Sequence, residues 1–169
     1  MHEIKGDLFE VAKDGYDAFC ILTNGFIKAS GELVMGKGCA KQAMTRWPEL
    51  PAEIAYRIHK GGHVLHVLEF INGVDAPTPF LVAFPVKPVE DEDGVPGFCC
   101  DAKLEIIEQS ALALAYEISE RGWKKVLLPR PGVGNGRLEW ADVHPVLHAV
   151  FLEWGVLDRV DIISFPGEE

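Results

Sequence analysis

The chain has 169 residues, of which 48% are hydrophobic, so it is long enough to bury the core of one α/β domain and leaves little room for a second. Acidic residues outnumber basic ones by 26 to 16, and the net charge of −10 argues against a surface that follows bare nucleic acid. The opening MHEIKGDLFE lacks the apolar core of a signal peptide, and no later run approaches the ~20 apolar residues of a membrane span. We therefore expect a cytoplasmic protein that is not associated with a membrane.

The first third of the chain alternates an apolar run with helical patterns. The run 17–22 is typical of a buried parallel strand, and the turn signal Thr23-Asn24-Gly25 ends it. Residues 38–46 predict a helix with Ala40, Ala43 and Met44 facing inward. Residues 53–60 predict a second helix, which ends before a pair of glycines.

Two apolar runs and a long polar segment follow. The runs 63–70 and 80–84 flank the turn dipeptide Asn72-Gly73, so we expect two strands that pair as a hairpin and give the sheet a mixed character. Residues 88–101 combine prolines and glycines with the acidic run Glu90-Asp91-Glu92-Asp93. This composition predicts a long loop.

The remaining residues again alternate helices with strands. Apolar residues at steps of 3 and 4 predict an amphipathic helix over 104–118 that closes near Gly122. Residues 126–128 predict a strand ending at Pro129, residues 140–154 a helix bent at Pro145, and residues 160–165 the final strand. The alternation predicts a three-layer α/β/α domain with a central mixed sheet and with ligand loops at the strand ends.

Cysteine and histidine spacings do not predict a metal site. The four cysteines lack C-x-x-C spacing and two of them are adjacent, so we interpret them as reduced thiols: Cys20, Cys39, Cys99 and Cys100. His144 and His148 have the i, i+4 spacing of a helical zinc pair, but no H-E-x-x-H glutamate and no evident third ligand accompany them. We interpret them as ordinary helix-surface histidines and expect no metal.

Two glycine-rich turns are the strongest functional signal. They are Val34-Met35-Gly36-Lys37-Gly38-Cys39-Ala40 and Pro131-Gly132-Val133-Gly134-Asn135-Gly136-Arg137. Backbone N–H groups in such turns, at the start of a helix, can hold a phosphate, and two turns indicate a pyrophosphate. Neither turn has the spacing of a Walker loop or a Rossmann fingerprint, and each alone could serve only chain geometry.

Further motifs surround these turns in a recognisable order. Lys5-Gly6-Asp7-Leu8-Phe9 and Asp17-Ala18 leading to Asn24 precede V-M-G-K-G-x-A and P-R-x-G-x-G-N-G-x-L-E-W. In these motifs the chain resembles a macrodomain, the ADP-ribose-binding module. The resemblance covers 1–169 as one macrodomain, with an insertion loop at about 88–101. Within the family it is similar to the branch of DNA ADP-ribosyl glycohydrolase antitoxins, terminal ADP-ribose protein glycohydrolases and yeast-type ADP-ribose 1''-phosphate phosphatases.

The resemblance implies ADP-ribose as the ligand and no separate cofactor. It implies that Asp7 accepts a hydrogen bond from the adenine amino group, that Leu8 lies beside the ring and that Phe165 covers it, although core packing suits Phe165 nearly as well. The residues implied to hold the diphosphate and the distal ribose are Val34, Met35, Gly36, Lys37, Gly38 and Cys39 in the first turn, and Gly132, Val133, Gly134, Asn135, Gly136 and Arg137 in the second.

Two residues are implied to act at the distal ribose. Asn24 matches an asparagine that positions a hydroxyl or water there, and its alternative is a local Asx turn. Lys87, in Phe84-Pro85-Val86-Lys87, resembles the lysine of an F-P-T-K segment that acts at the anomeric carbon. A partly desolvated lysine has a lowered pKa, and its neutral amine can attack that carbon. The alternative is a lysine that only flanks a strand.

Departures from the pattern leave the substrate open. Val86 replaces the threonine, and Gly136 stands where the protein-glycohydrolase branch has an aspartate. The resemblance implies a hydrolase that removes ADP-ribose from DNA or protein; the alternatives are a non-catalytic ADP-ribose reader and an ADP-ribose 1''-phosphate phosphatase. We expect ADP-ribose or ADP-ribosylated DNA or protein as partners. The acidic loop at 88–101 either repels DNA or covers the distal ribose.

Overall fold

The computed structural model describes residues 1–71, 74–75 and 79–167, and a mixed sheet of six strands forms its centre. The strand order is β1-β8-β7-β2-β6-β3, in which only the last pair is antiparallel. A separate ribbon joins β4 to β5. The strands are β1 (His2–Lys5), β2 (Ala18–Thr23), β3 (His66–Leu68), β4 (Phe70–Ile71), β5 (Val74–Asp75), β6 (Phe80–Pro85), β7 (Val126–Pro129) and β8 (Val160–Ser164).

Helices cover both faces of this sheet. They are α1 (Leu8–Val11), α2 (Gly38–Arg46), α3 (Leu50–Gly61), α4 (Leu104–Arg121) and α5 (Trp140–Glu153), and short 3-10 turns cover Gly97–Cys99, Gly134–Gly136 and Leu157–Arg159. No helix within the described ranges is long and apolar enough to cross a membrane.

Two apolar clusters explain the layering. Successive side chains of a strand point to opposite faces, and in β2 Cys20 packs in the cluster that contains α4 and α5 while Phe19 and Ile21 pack in the cluster that contains α1, α2 and α3. The continuous apolar run of β2 is therefore buried on both sides, as a central parallel strand requires. The expected three-layer α/β/α fold with a mixed sheet is confirmed.

The helix predictions hold with small changes at the ends. Helix α2 has the predicted bounds and buries Ala40 and Ala43. Helix α3 begins at Leu50, three residues before the predicted start, because Pro51 fits the first turn, where its missing N–H costs nothing. Helix α4 runs to Arg121 and is followed by Gly122 in the left-handed conformation, and α5 contains Pro145 as expected.

The strand predictions hold less evenly. The antiparallel pairing of β3 with β6 confirms the expected hairpin partners. However, β3 is only three residues long, because Val64 N donates to Gly62 O (3.0 Å) and places the start of the predicted strand in a turn. The Asn72-Gly73 turn lies outside the described residues. The predicted loop over 88–101 is confirmed, apart from one 3-10 turn and a bridge between Glu90 and Pro96.

The sheet order places four carboxyl ends along one edge. Ser164, Pro129, Thr23 and Pro85 end β8, β7, β2 and β6, which are consecutive neighbours. Because adjacent strands lie about 4.8 Å apart, the outer two ends are about 14 Å from each other. An elongated ligand can therefore lie across this edge, from the end of β8 to the end of β6.

Candidate active site

A cleft of about 800 Å³ opens at this edge. Its volume lies in the ~300–1,000 Å³ range of small-molecule sites. It brings together nearly all the residues singled out in the sequence: Asn24, Val34, Met35, Gly36, Lys37, Gly38, Cys39, Lys87, Gly132, Val133, Gly134, Asn135, Gly136, Arg137 and Phe165. Turns that lie almost 100 residues apart in the chain thus form one cavity.

Asp7 and Leu8 do not line the cleft. Asp7 caps α1, since its Oδ1 accepts hydrogen bonds from Phe9 N and Glu10 N, each 3.0 Å long. This is the usual role of an aspartate that precedes a helix. Leu8 is fully buried in the core. The expected adenine contact of Asp7 stays a prediction for its second oxygen, whereas Leu8 is a core residue and not a cleft residue.

The first turn presents the start of α2 to the cleft. The residue before the helix, Lys37, is extended and makes no side-chain capping bond, so the amides of the first helical turn are left for a ligand. Cys39 Sγ accepts a hydrogen bond from Leu22 N (3.3 Å), which ties this turn to the last residues of β2. An uncapped N-terminus of a nine-residue helix attracts an anion.

The second turn depends on glycine at its base. Gly132 has a φ of +77°, and a Cβ there would lie 2.8 Å from Ile107 Cδ1 and 2.9 Å from Leu138 Cδ1. The turn therefore rests directly on α4, and a larger residue would push it into the cleft. Arg137, which ends the turn, has a φ of 62° and is the one non-glycine residue in the described ranges with positive φ.

The two turns approach each other across the middle of the cleft. A Cβ on Gly38 would lie 3.5 Å from Asn135 Nδ2. The two turns therefore lie close enough for backbone amides of both to contact one pyrophosphate. Phe165 follows β8 at one end of the cleft and Lys87 follows β6 at the other.

Asn24 links the end of β2 to the first turn. Its Nδ2 donates to Val34 O (2.8 Å), and its Oδ1 accepts from Phe26 N (2.8 Å). The second bond is the Asx turn considered as the alternative, so Asn24 has a structural role. Its expected contact with the distal ribose stays a prediction.

Lys87 leaves β6 beside Asn24 and faces other cations. Its Nζ lies 3.4 Å from Phe98 O. Burial lowers the pKa of Lys87, and the nearby charges of Arg137 and Lys37 lower it further, while Asp101 acts in the opposite direction. Arg137 Nη1 donates to Asp101 Oδ1 (2.7 Å), so the opposing anion is itself ion-paired. A larger share of Lys87 is therefore the neutral amine than in an ordinary lysine.

His63 supports the main chain of Lys87 from behind. Its Nε2 lies 2.7 Å from Lys87 O, and because a carbonyl only accepts, Nε2 carries the proton. Burial lowers the pKa of His63, and its Nδ1 is buried without a hydrogen-bond partner among the described residues. The ring is therefore neutral and fixed in one tautomer.

The cleft also contains residues that the sequence reasoning missed. They are Leu22, Thr23, Ala40, Val86, Phe98, Cys99, Pro129, Arg130 and Ile163. Most lie next to the end of a predicted strand or in the first turn. Ligand loops are expected at the strand ends of an α/β sheet, so the sequence could have indicated these residues. Phe98 and Cys99 lie in the loop over 88–101, whose composition gave no such signal.

Arg130 is held beneath the second turn. Its side chain is 11% exposed, Nη2 donates to Glu3 Oε2 (2.9 Å), and the guanidinium carbon lies 5.1 Å from the centre of the Trp140 ring. Trp140 Nε1 donates to Glu3 as well. The P-R and L-E-W parts of the motif thus contact each other and fix the turn between them.

The histidine pair and the cysteines do not join a metal cluster. The rings of His144 and His148 stack at 5.9 Å on α5. Across the described residues no group of three or more metal-ligating side chains is present. No disulfide bond joins any of the four cysteines.

Comparisons with known proteins point in one direction. No protein-family model matches the sequence. The DNA ADP-ribosyl glycohydrolases of Mycobacterium bovis and Mycobacterium tuberculosis are each 29% identical to it over 135 residues. The match covers 79% of this chain and 35% of each relative, so the chain spans about a third of the length of the curated proteins that it matches.

Solved structures match over the whole chain. The macrodomain of Mycobacterium tuberculosis DarG has a TM-score of 0.70 and 26% identity, with 99% of this chain and 97% of that one covered. The macrodomain of Thermus aquaticus DarG has a TM-score of 0.70 and 20% identity, with 98% and 97% covered. Thermosipho africanus DarTG in complex with ADP-ribose has a TM-score of 0.71 and 18% identity, with 100% and 43% covered. Fold, cleft and sequence similarity together show that the chain has the macrodomain fold and is similar to the macrodomains of DarG.

Proposed function

We propose that the cleft binds ADP-ribose and that the protein hydrolyses the bond between its distal ribose and a modified nucleobase or acidic side chain. The observation that carries this proposal is the position of Lys87, whose pKa is lowered, in the same cleft as both glycine turns. The relatives named DNA ADP-ribosyl glycohydrolase and the similar structure that holds ADP-ribose support it.

Backbone amides supply most of the affinity for the diphosphate. The protein has a net charge of −10, which disfavours an anionic ligand at a distance. The uncapped start of α2 and the turn over Gly134–Gly136 offset this locally, together with the cations Lys37 and Arg137 at the cleft. Phe165 lies at the end of the cleft that would hold the adenine.

Lys87 is the nucleophile in this proposal. The lone pair of its neutral Nζ forms a bond to C1'' while the bond from C1'' to the nucleobase nitrogen or carboxyl oxygen breaks. The leaving group keeps that electron pair and takes up the proton that Nζ loses after forming its bond to C1''. Water then replaces the amine at C1'', which releases ADP-ribose and restores Lys87. No metal or cofactor takes part in these steps, and we place the reaction in the cytoplasm, where cysteines without disulfide bonds stay reduced.

The test compares three substrates with matched variants. ADP-ribosylated DNA, automodified ADP-ribosylated protein and ADP-ribose 1''-phosphate are incubated with wild type, Lys87→Ala and Lys13→Ala. Lys13 is an exposed surface lysine paired with Glu10, so its removal controls for the loss of a charge. We expect wild type and Lys13→Ala to release ADP-ribose from the ADP-ribosylated DNA or protein, and Lys87→Ala to release none from either.

Other results would assign a different function. Equal turnover by Lys87→Ala would remove Lys87 from the mechanism. Calorimetric binding of ADP-ribose with no product from any substrate would identify a reader. Release of phosphate from ADP-ribose 1''-phosphate alone would identify a phosphatase.

A further inference from the structure

The loop over 88–101 is held in a defined shape beside the cleft. Gly97 N donates to Val89 O (2.8 Å), and Asp91 Oδ1 accepts from Val95 N (2.8 Å). A Cβ on Gly97 would lie only 1.7 Å from Pro88 O, so the two sides of the loop meet at a place that only glycine permits. This tight closure determines where the next residue, Phe98, lies.

Phe98 is presented at the mouth of the cleft next to Lys87. Its carbonyl oxygen lies 3.4 Å from Lys87 Nζ, and its side chain lines the cleft while staying 39% exposed. Its ring meets the ring of Phe26 edge to face, with centroids 5.3 Å apart and planes inclined at 70°. Such pairing holds a ring in place and leaves one of its faces free for a further contact.

Phe26 is fixed by the residues that build the cleft. Its N–H donates to Asn24 Oδ1 (2.8 Å), and its carbonyl accepts from Val34 N (3.0 Å). The two rings are therefore held from opposite sides, one by the insertion loop and one by the first glycine turn. We call Phe26 and Phe98 the aromatic pair.

The charges near the aromatic pair favour a flat neutral group there. The same loop carries the four acidic residues 90–93, which repel a phosphate backbone that approaches from that side. The cations Lys37 and Arg137 line the same cleft near Lys87, and Arg137 is paired with Asp101 at the end of this loop. An uncharged planar ring stacked on Phe98 would be repelled neither by the acidic run nor by the cations, and it would lie next to Lys87.

We propose that Phe98, held in place by Phe26, stacks on the nucleobase attached to C1'' and makes this protein selective for ADP-ribosylated nucleobases over ADP-ribosylated carboxylates. The proposal rests on the function proposed above and adds binding residues from the insertion loop. Every base has a broad aromatic face that an aromatic side chain can cover, whereas a carboxylate ester of a protein offers only one small planar carbonyl group. Phe98 thus holds the leaving group while the bond to C1'' breaks.

The test measures the effect of Phe98 on the nucleobase separately from its effect on the ADP-ribose part of the ligand. Phe98→Ala should lower kcat/KM on an ADP-ribosylated oligonucleotide by about 5- to 160-fold, the loss that follows removal of one base–aromatic stacking contact. Its kcat/KM on a glutamate-linked ADP-ribosyl peptide and its Kd for free ADP-ribose should stay within about twofold of wild type, a spread of less than 0.5 kcal/mol. Phe98→Trp should restore activity on the oligonucleotide.

Val95→Ala is the matched control, because Val95 is 40% exposed in the same loop and does not line the cleft. Equal losses on oligonucleotide and peptide, or a parallel loss of affinity for free ADP-ribose, would overturn the proposal and give Phe98 a purely structural role. An unchanged rate on the oligonucleotide would overturn it as well.

A binding measurement keeps the proposal testable if turnover is absent. In the Lys87→Ala background, the ADP-ribosylated oligonucleotide should bind more tightly than free ADP-ribose, and adding Phe98→Ala should abolish that difference. If wild type shows no turnover but this difference in affinity is present, the hydrolase function is refuted and the role of the aromatic pair is supported. Absence of the difference refutes the aromatic pair, whatever the turnover.

Discussion

Replacing Gly132 with alanine tests whether the second turn is a rigid wall of the cleft. The left-handed conformation costs an alanine about 1–2 kcal/mol. The new Cβ would also meet Ile107 Cδ1 at 2.8 Å, Leu138 Cδ1 at 2.9 Å and Ala102 Cβ at 3.0 Å. Ile107 is fully buried and Ala102 has no flexible end to move, so overpacking adds about 1–3 kcal/mol. We expect Gly132→Ala to lose about 2–5 kcal/mol of unfolding free energy.

Gly15→Ala is the matched control for the conformational part. Gly15 has nearly the same φ, +78°, but no atom lies within 4 Å of its added Cβ. It should lose only the ~1–2 kcal/mol of left-handed strain. Urea denaturation of wild type and both variants measures the free energies of unfolding, and the m-values show whether unfolding stays two-state.

Ligand affinity distinguishes the two variants more sharply. Because Ala102 has no rotamer to change and Ile107 is fully buried, the clash pushes the turn at Gly132 away from α4 and shifts the amides that we propose to hold the diphosphate. Gly132→Ala should therefore weaken calorimetric binding of ADP-ribose, and Gly15→Ala should leave it unchanged. Equal stability losses in the two variants, or unaltered affinity in Gly132→Ala, would refute the reasoning.

Two further predictions concern titrating groups around Lys87. The rate should rise with pH as Lys87 loses its proton, and Asp101 raises the pKa of Lys87 whereas Arg137 lowers it. This rise should therefore occur at lower pH in Asp101→Asn and at higher pH in Arg137→Gln. Shifts of both variants in the same direction would exclude Lys87 as the titrating group. Burial lowers the pKa of His63, so below its ordinary value of about 6.5 the unfolded chain binds a proton that the folded protein does not, and stability falls as the pH falls. His63→Gln keeps an N–H that can donate to Lys87 O, so its melting temperature should decline less than that of wild type between about pH 7.5 and 5.5; identical declines would show that His63 is not the responsible group.

Local sequence patterns predicted the parts of the cleft that depend on chain connectivity. The parallel strands β2 and β6 have their carboxyl ends at the same edge of the sheet. Asn24 follows β2 and Lys87 follows β6, so the two residues could be expected near each other. The glycine turns were recognisable because their backbone shape excludes side chains. The sequence therefore predicts the cleft best where the backbone geometry requires one residue type, as at these glycines.

Tertiary contacts determined what local patterns could not predict. Phe98 lies beside Lys87 only because Gly97 lets the loop close on Pro88. The apolar run over 63–70 includes His63, and nothing in its pattern indicates that the ring bonds to Lys87 O. Asp7 was assigned to the ligand, and the structure uses one of its oxygens to cap α1. Each of these depends on a partner that is distant in sequence or on a competing local bond.

The most direct test of the proposed mechanism is the release of ADP-ribose from an ADP-ribosylated oligonucleotide by wild type and Lys87→Ala, each checked by calorimetry for binding of ADP-ribose. We predict that both proteins bind ADP-ribose and that only wild type releases it from the oligonucleotide. Release at the same rate by Lys87→Ala would contradict the assignment of Lys87 as the attacking group.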